Sequence, residues 1–170
     1  MNAANFEIRP ATPGDVPVVL ELIRALAEYE KLSQICVTGE AEIAAALFDA
    51  HPAAEVLIAW KNGESAGFAL YFHNFSTFLG RRGLWLEDLY VRPGFRRQGC
   101  AHALLHRLAA IARERGCGRF EWSVLDWNEP AIDFYRALGA TVLPDWRIVR
   151  VTGPALSAMA GRALAEPGPD

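Results

Sequence analysis

Leu86-Glu87-Asp88-Leu89-Tyr90-Val91-Arg92-Pro93-Gly94-Phe95-Arg96-Arg97-Gln98-Gly99 decides how this chain is read. Its first six residues form an apolar, β-type run that carries two acids and breaks at Pro93-Gly94. An Arg-Arg-Gln-Gly-Cys-Ala loop follows, then a long amphipathic run from about Ala101 to Arg115. A strand with carboxylates thus feeds an amide-rich loop at the start of a helix. A first helical turn presents unpaired N–H groups and a partial positive charge of about half a unit. Gly99 lets the backbone come close to a ligand. With Arg92, Arg96 and Arg97 near the same opening, the loop suits a pyrophosphate, and hence a phosphorylated carrier. An ordinary helix-start loop with solvated arginines fits the same residues, because one glycine is a weak signal.

Outward from this stretch, helical and β patterns alternate. Residues 6–9 read as a short strand. Thr12-Pro13-Gly14-Asp15 reads as a helix start, with a cap, an early Pro and an acid three residues on. Val16, Val19, Leu20, Ile23, Leu26 and Ala27 then make one apolar face. A second helix is expected over 38–50, with Ile43, Ala46 and Leu47 inward. Strands over 54–60 and 65–75 flank Asn62-Gly63, a hairpin turn. A third strand covers 84–91. The long helix ends near Gly116. A strand over 119–125, a helix over 129–138 stopped by Gly139, and a closing strand over 147–152 complete the pattern. Residues 154–165 read as a terminal helix and 166–170 as a frayed tail. The order β-α-α-β-β-β-α-β-α-β describes a mixed α/β layer fold rather than a doubly wound repeat. We expect a single domain over 1–165.

Bulk properties exclude several classes. A chain of 170 residues, 52% hydrophobic and 22% charged, has the make-up of a soluble globular domain. A net charge of −3 argues against general nucleic-acid binding. No apolar stretch reaches the ~18 residues of a spanning helix, so no membrane partner is expected. The start, MNAANFEIRP, has no signal pattern. Cys36, Cys100 and Cys117 are an odd number without metal spacing, which points to a reducing, cytoplasmic compartment. His102 and His106 share a helix face, but no third ligand is apparent, so no metal is expected.

Arg96-x-x-Gly99-x-Ala101 resembles the Gln/Arg-x-x-Gly-x-Gly/Ala motif of the GNAT superfamily of N-acetyltransferases, with Ala101 in place of the commoner glycine. The run from Leu125 to Ala140, with Asn128, Ala131, Phe134, Tyr135 and Gly139, resembles that family's N-x-x-A-x-x-F-Y-x-x-x-G-F/A segment. More narrowly, the chain is similar to the spermidine/spermine and thialysine acetyltransferase subfamily. The matching pieces are Leu26-Ala27-Glu28-Tyr29-Glu30-Lys31, Leu86–Val91, Asp126-Trp127-Asn128 and Trp146-Arg147. The resemblance runs from about Ile8 to Met159. It implies a mixed, mostly antiparallel central sheet with helices on both faces and a V-shaped splay between two central strands. It further implies a homodimer and acetyl-CoA as cosubstrate, with its pyrophosphate on the loop amides.

By this resemblance acetyl-CoA would lie along Leu89, Tyr90 and Val91, on the loop of Arg96, Arg97, Gln98 and Gly99, and at Cys100, Ala101 and His102. Asn128, Pro130, Ala131 and Tyr135 would complete the cofactor side. A tyrosine phenol, with a reference pKa of about 10, can donate a proton to the leaving thiolate, and Tyr135 would do so; a packed core tyrosine is the other reading. Glu87 and Asp88 are neighbours on a strand, so alternation sends them to opposite faces. Glu87 would face the acceptor and bind its ammonium or help remove the proton, while an exposed salt-bridging acid is the plainer reading. Tyr29, Glu30, Asp88 and Trp146 would line the acceptor site. A backbone N–H near Leu89 would stabilise the oxyanion. Cys100, at a helix start that can lower a thiol pKa, leaves a covalent route open beside the simpler direct transfer.

The subfamily's polyamine enzymes carry an acid and a Trp shortly before the Leu-Glu-Asp strand. Here Asn74-Phe75-Ser76-Thr77-Phe78 stands without an acid. The pattern therefore favours a short diamine or a lysine-like amine over spermine. A protein lysine or N-terminal acetyltransferase would use the same fold and cofactor, and a non-catalytic CoA-binding sensor would keep the loop alone.

Overall fold

In a computed structural model, which describes residues 6–161, the chain runs β1 (Glu7–Pro10), α1 (Val16–Tyr29), α2 (Glu40–Phe48), β2 (Glu55–Lys61), β3 (Glu64–Ser76), β4 (Arg81–Val91), α3 (Cys100–Glu114), β5 (Phe120–Trp122), α4 (Glu129–Ala137) and α5 (Gly153–Gly161). The described residues divide into two compact units between Ser123 and Val124.

The first unit holds one sheet in the order β1-β2-β3-β4-β5. The first three pairings are antiparallel and β4–β5 is parallel. The hairpin between β2 and β3 forms as its Asn-Gly pair dictates. Asn62 and Gly63 take φ of +52° and +81°, the double left-handed turn that matches strand twist. On one face Val56, Ile58, Phe68 and Tyr90 pack with Val16, Val19, Leu20, Leu22 and Leu26 of α1 and with Ile43 and Leu47 of α2. The alternate residues Leu57, Ala59, Ala69 and Tyr71 are also buried, so they belong to the opposite face. Helix α3 packs against β2, β3 and β4 and buries Leu104, Leu105, Leu108 and Ile111. Helices thus cover both faces of a mixed, mostly antiparallel sheet.

The splay is visible in the pairing. Strand β5 meets β4 only through Leu84↔Phe120, Trp85↔Glu121 and Leu86↔Trp122. From Glu87 onward, that edge of β4 has no strand partner among the described residues.

Three expectations shift. The strand expected over 119–125 shortens to Phe120–Trp122, and the helix over 38–50 shortens to Glu40–Phe48. The closing strand over 147–152 does not form. Those residues carry no regular structure, and Ile148 and Val149 are 71% and 88% exposed. A strand needs a partner for its N–H and C=O groups, and among the described residues of the second unit the regular elements are the helices α4 and α5. The last residues of the expected terminal helix, 162–165, and the tail 166–170 lie outside the described residues.

Candidate active site

The loop between β4 and α3 is shaped by two left-handed residues, Arg97 (φ +59°) and Gly99 (φ +89°). Gly99 is the N-cap of α3 and has no side chain with which to cap its first N–H groups. The helical ladder begins with the Ala103 N–H on the Gly99 carbonyl at 2.9 Å. The N–H groups of Cys100, Ala101 and His102 precede that bond and point out of the helix end. Left-handed residues followed by an uncapped first turn form a concavity of amides suited to an anion. A Cβ on Gly99 would meet nothing within 4 Å, so the space before the loop is open.

Gln98 fixes this loop rather than facing its opening. Its Nε2 donates to the Gly94 carbonyl at 2.7 Å, and its Oε1 accepts from Lys61 Nζ at 2.7 Å. Lys61 had not been singled out from the sequence, because it lies 37 residues away on the hairpin. Two of the three expected cations are also engaged by groups of the protein. Arg92 donates to the Ser65 carbonyl and Oγ and pairs with Glu21 at 3.0 Å. Arg96 donates from Nε to the Val91 carbonyl at 2.9 Å. Cys100 is 1% exposed, and burial pushes its thiol up to about 12. That removes the nucleophilic-cysteine route, since the helix-end effect is outweighed by desolvation.

The acids of β4 depart from simple alternation. Leu70 pairs with Asp88 and Tyr71 with Leu86, so Glu87 is an inserted residue without a partner on β3. Asp88 lies opposite Leu70, which packs on the α1 core, and so sits on that face. Trp85 lies opposite Phe72, on the same face as Leu70, and its Nε1 donates to Glu87 Oε2 at 2.9 Å. Glu87 and Asp88 therefore share the α1 face instead of pointing apart. Burial first, then the charges of Glu87 and Glu30, push the Asp88 carboxyl up to about 6. Burial also raises Glu30. Three carboxyls thus converge where α1 ends, and no ion pair to a cation involves Asp88 among the described residues. By residue type alone Trp85 reads as core; its i,i+2 spacing from Glu87, which places both on one side of a strand, is the signal for this contact.

In the second unit Asn128 is the N-cap of α4, and its carbonyl accepts from Ala131 and Ile132 at 3.0 and 3.1 Å. Pro130 sits in the first turn, where a missing N–H costs nothing. Tyr135 is half-buried beside Phe134, with ring centroids 5.5 Å apart. Its helix ends through Gly139 (φ +88°), with the Ala140 N–H on the Tyr135 carbonyl. Trp146 is 77% exposed. His102 and His106 lie with ring centroids 5.0 Å apart, and among the described residues no group of three His, Cys, Asp or Glu could hold a metal ion.

Known proteins resemble this chain in sequence and in fold. Residues 22–140 match the Acetyltransferase (GNAT) family. A thialysine N-epsilon-acetyltransferase of Sus scrofa is 38% identical, over 94% of this chain and 99% of that protein. An L-ornithine N5-acetyltransferase of Arabidopsis thaliana is 32% identical, over 89% of this chain and 86% of that protein. The solved structure of an integron cassette protein from V. cholerae superimposes with a TM-score of 0.74 at 25% identity, covering 91% of this chain and 97% of that one.

Proposed function

Because this chain belongs to the GNAT family of acetyltransferases, we propose that it transfers the acetyl group of acetyl-CoA directly to a small primary amine. One observation carries the reading: the cradle of Arg97, Gly99 and the uncapped start of α3 follows the strand edge left open by β5. The cradle suits a pyrophosphate, and the open edge at Leu89, Tyr90 and Val91 offers backbone groups to a pantetheine arm. The resemblance of the Asn128–Gly139 run to the family's segment assigns Asn128, Pro130, Ala131 and Tyr135 to the cofactor as well.

Glu30, Glu87 and Asp88 gather the negative charge that favours an ammonium, with Tyr29 as a wall, and the family resemblance assigns Trp146 to the acceptor too. An ammonium with a pKa near ~10 has no lone pair, so its proton must leave first. Glu87, oriented by Trp85, accepts it directly or through water. The amine nitrogen then bonds to the thioester carbon and the C–S bond breaks. The Leu89 N–H stabilises the oxyanion, Tyr135 gives its proton to the departing sulfur, and the second proton that the nitrogen sheds as the amide forms returns through solvent to the Tyr135 phenolate. Alignment of the two reactants supplies much of the acceleration.

The amine is read as lysine-like or a short diamine. Relatives named for thialysine and ornithine match most of the chain, and no acid stands at 74–78. The exposed apolar residues Ile148, Val149 and Met159 support burial against a second copy, hence a homodimer. The three free cysteines support a reducing, cytoplasmic setting.

Release of CoA thiol, measured against thialysine, ornithine, short diamines, spermidine, spermine and a lysine peptide, tests the reading. Preferred turnover of the lysine-like amines and diamines is expected. Turnover of the peptide alone assigns a protein substrate, and CoA binding without any turnover leaves a sensor.

A further inference from the structure

Arg96 joins two places that the proposed reaction must bring into step. It belongs to the cradle loop, yet its Nε is committed to the Val91 carbonyl at 2.9 Å. Its guanidinium carbon lies 4.7 Å from the Tyr29 ring centroid and 5.7 Å from that of Tyr90. Both distances are within the range of a cation–π contact. Tyr29 is the last residue of α1, and Glu30, the next residue, acts on Asp88. The end of α1 is itself fixed: Lys31 is left-handed (φ +61°), and the Leu32 N–H reaches the Ala27 carbonyl at 2.8 Å. Tyr29 therefore has a firm base from which to hold Arg96.

We propose that Arg96 is a positioning residue that couples cofactor binding at the loop to amine binding at the end of α1. The proposal rests on the acetyltransferase reading above. An anion seated on the loop amides fixes the backbone that follows Arg96, while the Arg96 Nε bond to the Val91 carbonyl ties it to the strand before it. The guanidinium then holds Tyr29 and, through the chain, Glu30 in place for the amine. By linkage the effect is reciprocal: whatever factor the cofactor adds to amine affinity, the amine adds to cofactor affinity. Tyr29 thereby gains an influence on CoA binding although it belongs to α1, not to the loop. A direct phosphate ligand at Arg96 would give Tyr29 no such influence.

Calorimetric titration with CoA alone tests this in the wild type, Tyr29→Phe, Tyr29→Leu, Arg96→Ala and Arg96→Ala/Tyr29→Leu. Tyr29→Leu is expected to weaken CoA by about two- to fivefold, the size of an exposed cation–π contact, while Tyr29→Phe keeps the ring and the affinity. In the Arg96→Ala background Tyr29→Leu should change nothing further. Tyr29 is 39% exposed, and Tyr29→Gln repeats the measurement should the Leu variant not fold. Equal affinity of wild type and Tyr29→Leu, or an undiminished loss in the Arg96→Ala background, overturns the coupling alone. A folded wild type that does not bind CoA overturns the acetyltransferase reading and the coupling with it.

Discussion

Helix α1 has an acid at each end, and the two are treated in opposite ways. Asp15, at its start, is 7% exposed and fully answered. Arg9 reaches it with two hydrogen bonds of 2.7 and 2.9 Å, and Thr12 adds its N–H at 2.8 Å and its hydroxyl at 2.7 Å. The Arg9 guanidinium holds that carboxyl far below the usual carboxylate range. At the other end Glu30 lies within electrostatic reach of Asp88, which also feels Glu87, and burial raises both Glu30 and Asp88. Where the chain must hold itself together, it matches each charge. Where it is to receive a cation, it leaves the charge unmatched and the folded state carries the cost.

The largest effect should come from breaking the matched end. Asp15→Ala leaves the Arg9 cation and the Thr12 N–H and hydroxyl without their acceptor, at about 2–4 kcal/mol. Thermal melts should fall by roughly 5–10 °C. The sign with pH follows from the depressed carboxyl. Its contribution is present above the unfolded value near ~4 and is lost as pH falls through the folded value, so the gap between wild type and variant should close in acid. A gap that widens in acid would contradict the matched-pair account.

Removing an unmatched charge should do the reverse. Asp88→Asn is expected to stabilise the fold at pH 7.5 by about 1–2 kcal/mol, because the folded carboxyl titrates above its unfolded value. The gain should vanish below about pH 4, where Asp88 is neutral in both states. The same variant should raise the amine KM several-fold. Denaturant titration and steady-state kinetics read the two effects, and a variant less stable than wild type at pH 7.5 sinks the comparison.

Titration alone gives a smaller signal. As pH falls through about 6, Asp88 takes up its proton and the wild-type amine KM should rise by roughly two- to threefold. That inflection should be missing from Asp88→Asn. Smallest of all, Lys31→Gly relieves a left-handed side chain at the end of α1. It should add about 0.5–1 kcal/mol of stability and leave the matched end untouched.

Much of this was legible in the chain because the relevant forces are local. Asn62-Gly63, the Thr12–Asp15 cap, the face of α1 and the Arg96–Ala101 loop are each decided by a few neighbouring residues. The inserted residue at Glu87 was not legible, because Leu86-Glu87-Asp88-Leu89 reads as uninterrupted strand and only pairing with Leu70 and Tyr71 shows the slip. The same holds for Arg92 and Arg96, whose partners Ser65, Glu21 and Tyr29 lie far along the sequence. Cys100 failed for a related reason: a helix start favours a thiolate, but the depth of burial is set by packing from elsewhere. Residues 147–152 have a strand's composition without a strand's partner.

Glu87 also changes the arithmetic of its own strand. Leu84 and Leu86 pair with His73 and Tyr71, whereas Asp88 and Tyr90 pair with Leu70 and Phe68. Even numbers therefore mark one side of the sheet before Glu87 and the other side after it. Residue 87 works as a parity bit between a half of β4 indexed by β5 and a half that borders the open edge. Exchanging its side chain edits one carboxylate, whereas deleting the residue would transpose every side chain on one half of the strand.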